Sequence, residues 1–249
     1  MKITTLTRFL NKELKIRSIL DTSRNGLQVR ANEEVKKVGF AVDACLSTFK
    51  KAKKAGVNLL IVHHGVKWVP QKRKELTKKR IDYLKKNKIS LYAAHLPLDA
   101  HYKYGNNIGL AELLELKNLK KFARYGNAKI GYKGEFEKKK TIKQIANRLN
   151  NSLNTKSETY PFGKKQIKTI GIVSGGGADS LGDAAKEKLD CFLTGEIKHS
   201  TFHEIQEHQI NLIAAGHYAT EIVGVKLLQK MIKEKFGLKT IFISNPTGI

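Results

Sequence analysis

Short apolar runs rich in β-branched residues alternate along this chain with segments of helical periodicity. In the first half the runs are Val38–Val42, Asn58–Val62 and Ile89–Ala94, and the helical segments between them are residues 46–55 and 74–86. This alternation is typical of βαβ units, in which neighbouring strands are parallel and helices cover the sheet. The sequence therefore predicts an α/β fold with largely parallel sheets.

The second half of the chain has the same order of predicted elements. Its apolar runs are Ile167–Val173, Cys191–Thr194 and Ile210–Ala215. In both halves the third run is followed by a histidine and, four residues later, by an acid. These pairs are His95 with Asp99 and His217 with Glu221. The same order of elements with the same pair of residue types indicates a duplicated lobe.

The repeat predicts two pseudo-symmetric α/β lobes. We assign residues 1–116 to the first lobe, with residues 222–249 returning to it, and residues 117–221 to the second. The part from about residue 117 to residue 168 is interpreted as a connection and the front of the second lobe, with a helix at residues 142–149. It contains no candidate catalytic residue.

The charge balance of the chain is strongly basic. Lys and Arg number 47 against 22 Asp and Glu, which gives a net charge of +25. Such an excess repels itself unless an anionic partner or counterions lie close by. The alternative explanation of the excess is a thermophilic protein with many well-solvated surface lysines. In such proteins, however, the number of lysines is normally matched by the number of glutamates. The balance favours a nucleic acid or another phosphate-bearing partner, and DNA binding without base preference is expected because no base-reading motif is present.

Several features predict a cytoplasmic protein. The only cysteines, Cys45 and Cys191, both lie in apolar stretches and do not form a disulfide framework. The N-terminus has the pattern of an amphipathic helix and lacks the apolar core of a secretory signal. Apolar runs such as Val57–Val62 are far shorter than the roughly 20 residues that cross a bilayer. No membrane association is expected.

Residue types that bind metals follow three of the predicted strands. In parallel α/β sheets, functional groups collect at the carboxyl ends of the strands. His217 and Glu221 are four residues apart on a helix and can bind one centre. The adjacent His63 and His64 point to opposite sides of an extended chain and suit two neighbouring ions. The sequence predicts a two-metal centre with the ligands His63, His64, Asp99, His217 and Glu221.

This donor set suits Zn, Fe, Mn or Ni, and the residue types do not choose among them. Two divalent ions about 3.5–4 Å apart lower the pKa of a shared water towards neutrality, and Glu221 is the candidate bridging carboxylate. Three further residues are predicted to be catalytic: His95, Glu196 and His199. His95 and Glu196 are expected behind the ligands or facing the substrate, and His199 is expected to transfer protons or contact an anion. The other histidines at strand and helix ends are interpreted as structural: His101, His203 and His208.

Two polar or glycine-rich turns are further candidates for the site. Gly175–Gly177 joins a strand to a helix and either holds a phosphate at its backbone N–H groups or permits close packing. It lacks the lysine of a phosphate-binding P-loop. Asn25 and Gln28 follow a predicted turn and are polar groups that could line the site.

The order of these motifs along the chain resembles the GTP cyclohydrolase I type 2 homologues, also called Nif-three-like proteins. The resemblance covers nearly the whole chain and is carried by Asp21…Asn25-Gly26-Leu27-Gln28-Val29, Val62-His63-His64-Gly65, His95-Leu96-Pro97-Leu98-Asp99…Gly105-Asn106-Asn107, Ser174-Gly175-Gly176-Gly177, Thr194-Gly195-Glu196 and Ala215-Gly216-His217-Tyr218-Ala219-Thr220-Glu221. It implies two interlinked lobes, a homohexameric ring and dinuclear metal sites facing an inner cavity. The ligands that it implies are the same five residues.

Three functions remain open at this level. The first is a dinuclear-metal ring protein that binds single- or double-stranded DNA through its basic surface, with possible hydrolase activity. The alternative is a metal-dependent, cyclohydrolase-like enzyme that acts on GTP or a related nucleotide, with His95 or His199 moving protons. The third is a metal-stabilised scaffold that recruits protein partners.

Overall fold

The computed structural model describes residues 1–248 and has a mixed α/β fold with two sheets. The chain divides into two compact units. The first contains Met1–Leu98 and Val225–Asn245, and the second contains Asp99–Gly224 and the residues from Pro246 onward. Among the described residues, no helix combines the length and the apolar character needed to cross a membrane.

The first unit is built on a five-stranded sheet. In chain order its elements are α1 (Ile3–Glu13), β1 (Gly26–Val29), β2 (Lys37–Asp43), α2 (Leu46–Lys54), β3 (Leu59–His64), α3 (Lys74–Lys86), β4 (Ser90–Ala93) and, from the end of the chain, β11 (Lys239–Phe242). The strand order is β1-β4-β3-β2-β11. Only β1 is antiparallel to its neighbour, so this sheet is largely parallel, as the βαβ pattern predicts.

Burial explains why these segments form strands and helices. The central strands β3 and β4 are buried along almost their whole length, as expected for strands covered on both faces. On α2 the side chains of Phe49 and Ala52 are completely buried, whereas the lysines of the opposite face are exposed. The apolar stripe of the helix therefore packs into the core that also contains Leu60 and Leu91.

The second unit is built on a six-stranded sheet. Its elements are α5 (Asn106–Leu113), β5 (Lys117–Tyr125), β6 (Ala128–Lys140), α6 (Ile142–Leu153), β7 (Glu158–Pro161), β8 (Ile167–Ile172), a 3-10 turn (Gly177–Ser180), α7 (Leu181–Lys186), β9 (Cys191–Thr194), α8 (His199–Glu207) and β10 (Asn211–Ala214). The short helix α4 (Leu96–Asp99) ends at the first residue of this unit. Helix α9 (His217–Phe236) begins in the second unit, and its residues from Val225 onward belong to the first.

The second sheet corrects the prediction of largely parallel sheets. Its order is β5-β6-β8-β9-β10-β7, and only β8–β9 and β9–β10 are parallel pairs. The antiparallel pairs arise because β5 and β6 form a hairpin that turns at Gly126, with φ +54°, and because β7 runs against β10. The strands of the hairpin are rich in exposed lysine, which gives this segment the sequence pattern of a connection.

Each unit contains three adjacent parallel strands connected by helices. In the first unit these are β2, β3 and β4, and in the second they are β8, β9 and β10. This is the order of elements that the internal repeat predicts. In both units the carboxyl ends of parallel strands therefore lie at one edge of the sheet, which is where the candidate ligands occur.

Candidate metal centre

Three histidines lie together at the carboxyl edge of the first sheet. His63 and His64 end β3, and His95 follows the neighbouring parallel strand β4. The ring centroids are separated by 4.7 Å for His63 and His64, 5.1 Å for His63 and His95, and 5.5 Å for His64 and His95. Each ring offers a nitrogen, and these three nitrogens all lie within 4.8 Å of one another. The cluster has the composition and spacing of a metal site.

Hydrogen bonds select the tautomer of these three rings when they are neutral. The Nδ1 atoms of His63, His64 and His95 each lie 2.9 Å from an oxygen acceptor. The acceptors, in the same order, are the carbonyl oxygen of Ala94, Oδ1 of Asp43 and Oδ1 of Asp21. Since a carbonyl or ionised carboxylate oxygen only accepts, each neutral ring carries its proton on Nδ1 and its lone pair on Nε2. This is how histidines are held when they ligate a metal through Nε2.

Asp21 fixes His95 through a small polar loop. Its carboxylate accepts hydrogen bonds from the backbone N–H groups of Ser23 (2.9 Å) and Leu96 (3.1 Å) and from the side chain of Asn25 (2.8 Å). Asn25 in turn accepts a hydrogen bond from the backbone N–H of His95 at 2.8 Å. Burial raises the pKa of Asp21, but the hydrogen bonds and the charge of His95 outweigh it and hold that pKa below its ordinary value. The carboxylate therefore stays ionised behind the histidine.

The turn after the paired histidines explains the glycine in this motif. The side-chain oxygen of Gln28 accepts hydrogen bonds from the N–H groups of Val66 (2.8 Å) and Lys67 (3.1 Å). A Cβ atom on Gly65 would lie 2.4 Å from the amide of Gln28 and 2.7 Å from Cβ of Ala93. Only glycine fits at this position. The hydrogen bonds of Gln28 support the turn beneath the site.

Trp68, the only tryptophan of the chain, packs against this cluster. Its ring centroid lies 5.1 Å from that of His95 and 6.2 Å from that of His64. The indole N–H donates to the carbonyl oxygen of Gly65 at 2.9 Å. A metal bound by these histidines would lie close to the indole, so the fluorescence of Trp68 can report on metal binding.

In the second unit, His217 and Glu221 occupy the first two turns of α9. Nε2 of His217 lies 3.1 Å from Oε1 of Glu221, and Nδ1 of the same ring lies 3.1 Å from Oε1 of Glu196. Glu221 is only 3% exposed, and a carboxylate buried to this extent requires a cation or donors around it. The pair offers an imidazole nitrogen and a carboxylate oxygen that can share one ion, with Glu196 orienting the ring.

Asp99 is buried in the second unit and is held by polar side chains. Its Oδ1 accepts hydrogen bonds from the amide of Asn106 at 2.8 Å and from the hydroxyl of Ser174 at 3.1 Å. The oxygen of the Asn106 side chain accepts from the backbone N–H of Gly224 on α9 at 2.7 Å. These contacts fix the orientation of a carboxylate with 6% exposure.

In this unit, backbone hydrogen bonds between glycines continue the pairing beyond the ends of the parallel strands. The N–H of Gly195 donates to the carbonyl of Gly175 at 2.9 Å, and that of Gly216 donates to the carbonyl of Gly195 at 2.8 Å. Gly175 has φ +62°, and a Cβ atom there would lie 2.1 Å from Oε1 of Glu221. The contacts favour the interpretation of Gly175–Gly177 as a turn that permits close packing against the candidate ligands.

The remaining predicted residues lie in different surroundings. His95 joins the three-histidine cluster, and Glu196 contacts His217, whereas His199 is exposed at the start of α8 with its ring 6.2 Å from that of His203. The catalytic roles of these residues stay predictions. His101 accepts hydrogen bonds from two backbone N–H groups at 3.2 and 2.9 Å, which suits the structural role assigned to it.

Two carboxylates behind the histidines are absent from the set predicted from the sequence. Asp43 is the last residue of β2 and pairs in register with His64 on β3. Its position at the end of a parallel strand could have identified it as a site residue from the sequence. Asp21 lies outside the regular elements, and only the fold brings it to His95.

Comparison with known proteins agrees with this architecture. The family model described as Duf34/NIF3 (NGG1p interacting factor 3) matches residues 1–248. Proteins named GTP cyclohydrolase 1 type 2 homolog are similar to this chain over nearly its whole length. One from Pyrococcus abyssi is 46% identical and covers 98% of both chains, and one from Archaeoglobus fulgidus is 38% identical and covers 100% of both.

Solved structures show the same fold. TTHA1606 from Thermus thermophilus has a TM-score of 0.90 and 39% sequence identity, covering 100% of both chains. Reduced HcgD from Methanocaldococcus jannaschii has a TM-score of 0.86 and 28% identity, covering 98% of both. The family model, the relatives and the fold agree over nearly the full length of the chain. This chain belongs to the DUF34/NIF3 family.

Proposed function

We propose that this protein binds two divalent transition-metal ions and hydrolyses a nucleotide such as GTP. The ligands that we propose are His63, His64, Asp99, His217 and Glu221. The observation that carries the proposal is the orientation of the histidine rings. Each ligand histidine has its Nδ1 atom on an oxygen acceptor, which leaves Nε2 as the nitrogen that donates to an ion. The name shared by the similar proteins supports a nucleotide as the substrate.

Three further residues would assist hydrolysis in different ways. Divalent ions at such a centre supply Lewis-acid activation of water and of a substrate oxygen. His95 has its Nδ1 atom fixed by Asp21, so it would present Nε2 to the ions or to the substrate. Glu196 is 40% exposed at its side chain, which lets it both orient His217 and exchange protons with solvent. His199, exposed at the start of α8, is the weaker candidate for proton transfer.

Turnover of GTP tests this function. Purified protein, with its metal content measured, is expected to convert GTP when Mn²⁺, Fe²⁺ or Zn²⁺ is supplied. His63→Ala and Glu221→Ala should abolish the activity because each removes a ligand. His208→Ala is the matched control, since His208 is an exposed histidine at the end of α8. A protein that holds metal but turns over neither GTP nor other nucleotides would refute the hydrolase and leave the metal-stabilised scaffold.

The distribution of charge favours DNA binding as a second function. The first unit carries 28 Lys and Arg against 8 Asp and Glu, a net charge of +20, whereas the second carries 19 against 14, a net charge of +5. Exposed lysines concentrate on two helices that contact each other, α2 and α3. They are Lys50, Lys51, Lys53, Lys54, Lys74, Lys78, Lys79, Lys85 and Lys86. Such a surface attracts the phosphates of DNA without reading bases.

Charge reversal on α3 tests this second function. Lys78→Glu with Lys79→Glu should weaken binding of a mixed-sequence DNA oligonucleotide and lower the salt dependence of log Kd by about 2. The control, Lys156→Glu with Lys165→Glu, makes the same change of charge at exposed lysines of the second unit and should have a smaller effect. Equal effects of both pairs, or no binding at low salt, would refute the proposal.

We also propose that the chain assembles into the homohexameric ring implied by the family resemblance and works in the cytoplasm. A ring of six such chains would multiply the positive field that DNA meets. Both cysteines are free thiols, which suits a reducing compartment. Sedimentation of the DNA-binding samples, with and without chelator, measures the oligomeric state directly.

A further inference from the structure

A cavity of about 880 Å³ lies in the second unit, among residues that the metal centre does not use. Its walls come from the β5–β6 hairpin, the end of α5 and one face of α6. None of the candidate metal ligands lines it. The volume falls within the usual range of small-molecule pockets, roughly 300–1,000 Å³.

The charged lining of the cavity is predominantly basic. Four cations, Lys117, Lys138, Lys140 and Arg148, face two acids, Glu115 and Glu137. Arg148 is neutralised locally, because its guanidinium forms an ion pair with Glu115 at 2.7 Å. Within residues 1–248, no ion pair is formed by any of the three lysines. A single carboxylate, that of Glu137, is therefore left to balance three ammonium groups.

Three of the four cations that line the cavity act on the carboxylate of Glu115. The hydrogen bond and charge of Arg148 hold the pKa of Glu115 below its ordinary value, and the charges of Lys117 and Lys140 lower it further. Both lysines therefore act on the same carboxylate that Arg148 already neutralises. An additional anion in the cavity would relieve the repulsion among the lysines.

The floor of the cavity is apolar and its wall contains amides. Leu114, Phe136 and Ile145 line it and are 2%, 4% and 2% exposed. Gln144 and Asn151 on α6 also line it. Inorganic phosphate alone would leave most of this volume empty. A ligand with an anionic group for the lysines and an organic part for the floor would fill it.

We propose that this cavity binds a small organic phosphate, with Lys117, Lys138 and Lys140 receiving the phosphate and the apolar floor receiving the organic part. This site is separate in its residues from the metal centre, so it does not depend on the proposed hydrolysis. Each lysine that contacts the phosphate contributes a charge-assisted hydrogen bond.

Strand β6 provides a matched set of variants for the test. Lys138, Lys139 and Lys140 are consecutive and exposed, but only the first and third line the cavity. Lys138→Ala, Lys139→Ala and Lys140→Ala remove one positive charge each. Any difference among them reports contact with the ligand rather than net charge.

The probe is ADP, titrated calorimetrically into protein freed of metal by a chelator, with inorganic phosphate as the comparison. We expect one site, with affinity lowered about tenfold by Lys138→Ala and by Lys140→Ala, and less than about twofold by Lys139→Ala. Amide signals of Gln144 and Asn151 should shift on titration in heteronuclear NMR spectra.

Three results would overturn the proposal. Equal weakening by all three variants would show general attraction of an anion, and no saturable binding of ADP would remove the site. Tighter binding of an oligonucleotide than of ADP, sensitive to Lys138 and Lys140, would assign the cavity to nucleic acid instead. Binding of ADP but not of phosphate, with the pattern above, supports an organic phosphate.

Discussion

Replacing His64 with alanine is expected to lower the affinity for divalent metal more than a hundredfold. His64 is one of three clustered imidazoles, and its Nδ1 is already committed to Asp43, so its Nε2 is the donor that the variant loses. Structural zinc sites of four ligands contribute ~10–16 kcal/mol, or about 3 kcal/mol for each ligand. The loss of one ligand therefore removes most of the occupancy at micromolar metal.

Quenching of Trp68 fluorescence by Ni²⁺ or Co²⁺ measures this affinity, because the indole packs against His64 and His95. Mass spectrometric metal analysis of the purified protein provides an independent readout. Asp43→Asn keeps the ligand but weakens its orientation, so we expect an intermediate loss of about 10- to 100-fold. His208→Ala should bind as the unmodified protein does. If His64→Ala bound metal with unchanged affinity, the three-histidine cluster would not be a metal site.

Replacing Gly195 with alanine is expected to destabilise the protein by about 3 kcal/mol, near the upper end of overpacking effects. A Cβ atom there would lie 2.6 Å from the carbonyl oxygen of Gly175, 2.8 Å from Cα of His217 and 2.9 Å from Cα of Gly175. All three are backbone atoms, so no side chain can rotate away. The strand ends that carry His217 and Glu196 must separate, and the metal affinity should fall with the stability.

Denaturant unfolding of the metal-free protein measures the change in the free energy of unfolding. Gly182→Ala is the matched control. Gly182 lies exposed inside α7, and a Cβ atom there meets nothing within 4 Å, so this substitution should stabilise the protein by about 0.5–1 kcal/mol. If the two substitutions had the same effect, the close approach at Gly195 would not matter energetically.

The strands and helices that the sequence predicted best are those with strong apolar patterns. Helix α3 has the predicted bounds, and β9 coincides with the predicted Cys191–Thr194. All four residues of β9 are buried, and α3 buries Leu84. In contrast, the hairpin β5–β6 was missed, because most of β5 and the end of β6 consist of exposed, lysine-rich residues. On β5 only Phe122 and Ala123 are buried, so its composition does not distinguish a strand from a loop.

In the candidate site, contacts within one element could be predicted from the sequence, whereas contacts between distant segments could not. The spacing of His217 and Glu221 is a property of one helix, and it could be predicted without knowledge of the fold. The pairing of His95 with Asp21 joins residues 74 positions apart through a loop without regular structure. No sequence pattern reports such a contact, because it depends on how β1 and β4 bring the loop to the strand end.

The anchoring of each candidate ligand ring at Nδ1 has a consequence for metal choice. Rings fixed by Ala94, Asp43 and Glu196 cannot swing to suit ions of different preferred geometry, and they lose little rotational freedom when an ion arrives. A bound ion should therefore be chosen by how well it suits this fixed arrangement of nitrogen and oxygen donors, in addition to the intrinsic order of affinity among divalent metals. Among ions that suit the arrangement equally well, supply would then decide, so we expect the metal content of purified protein to change with the growth medium.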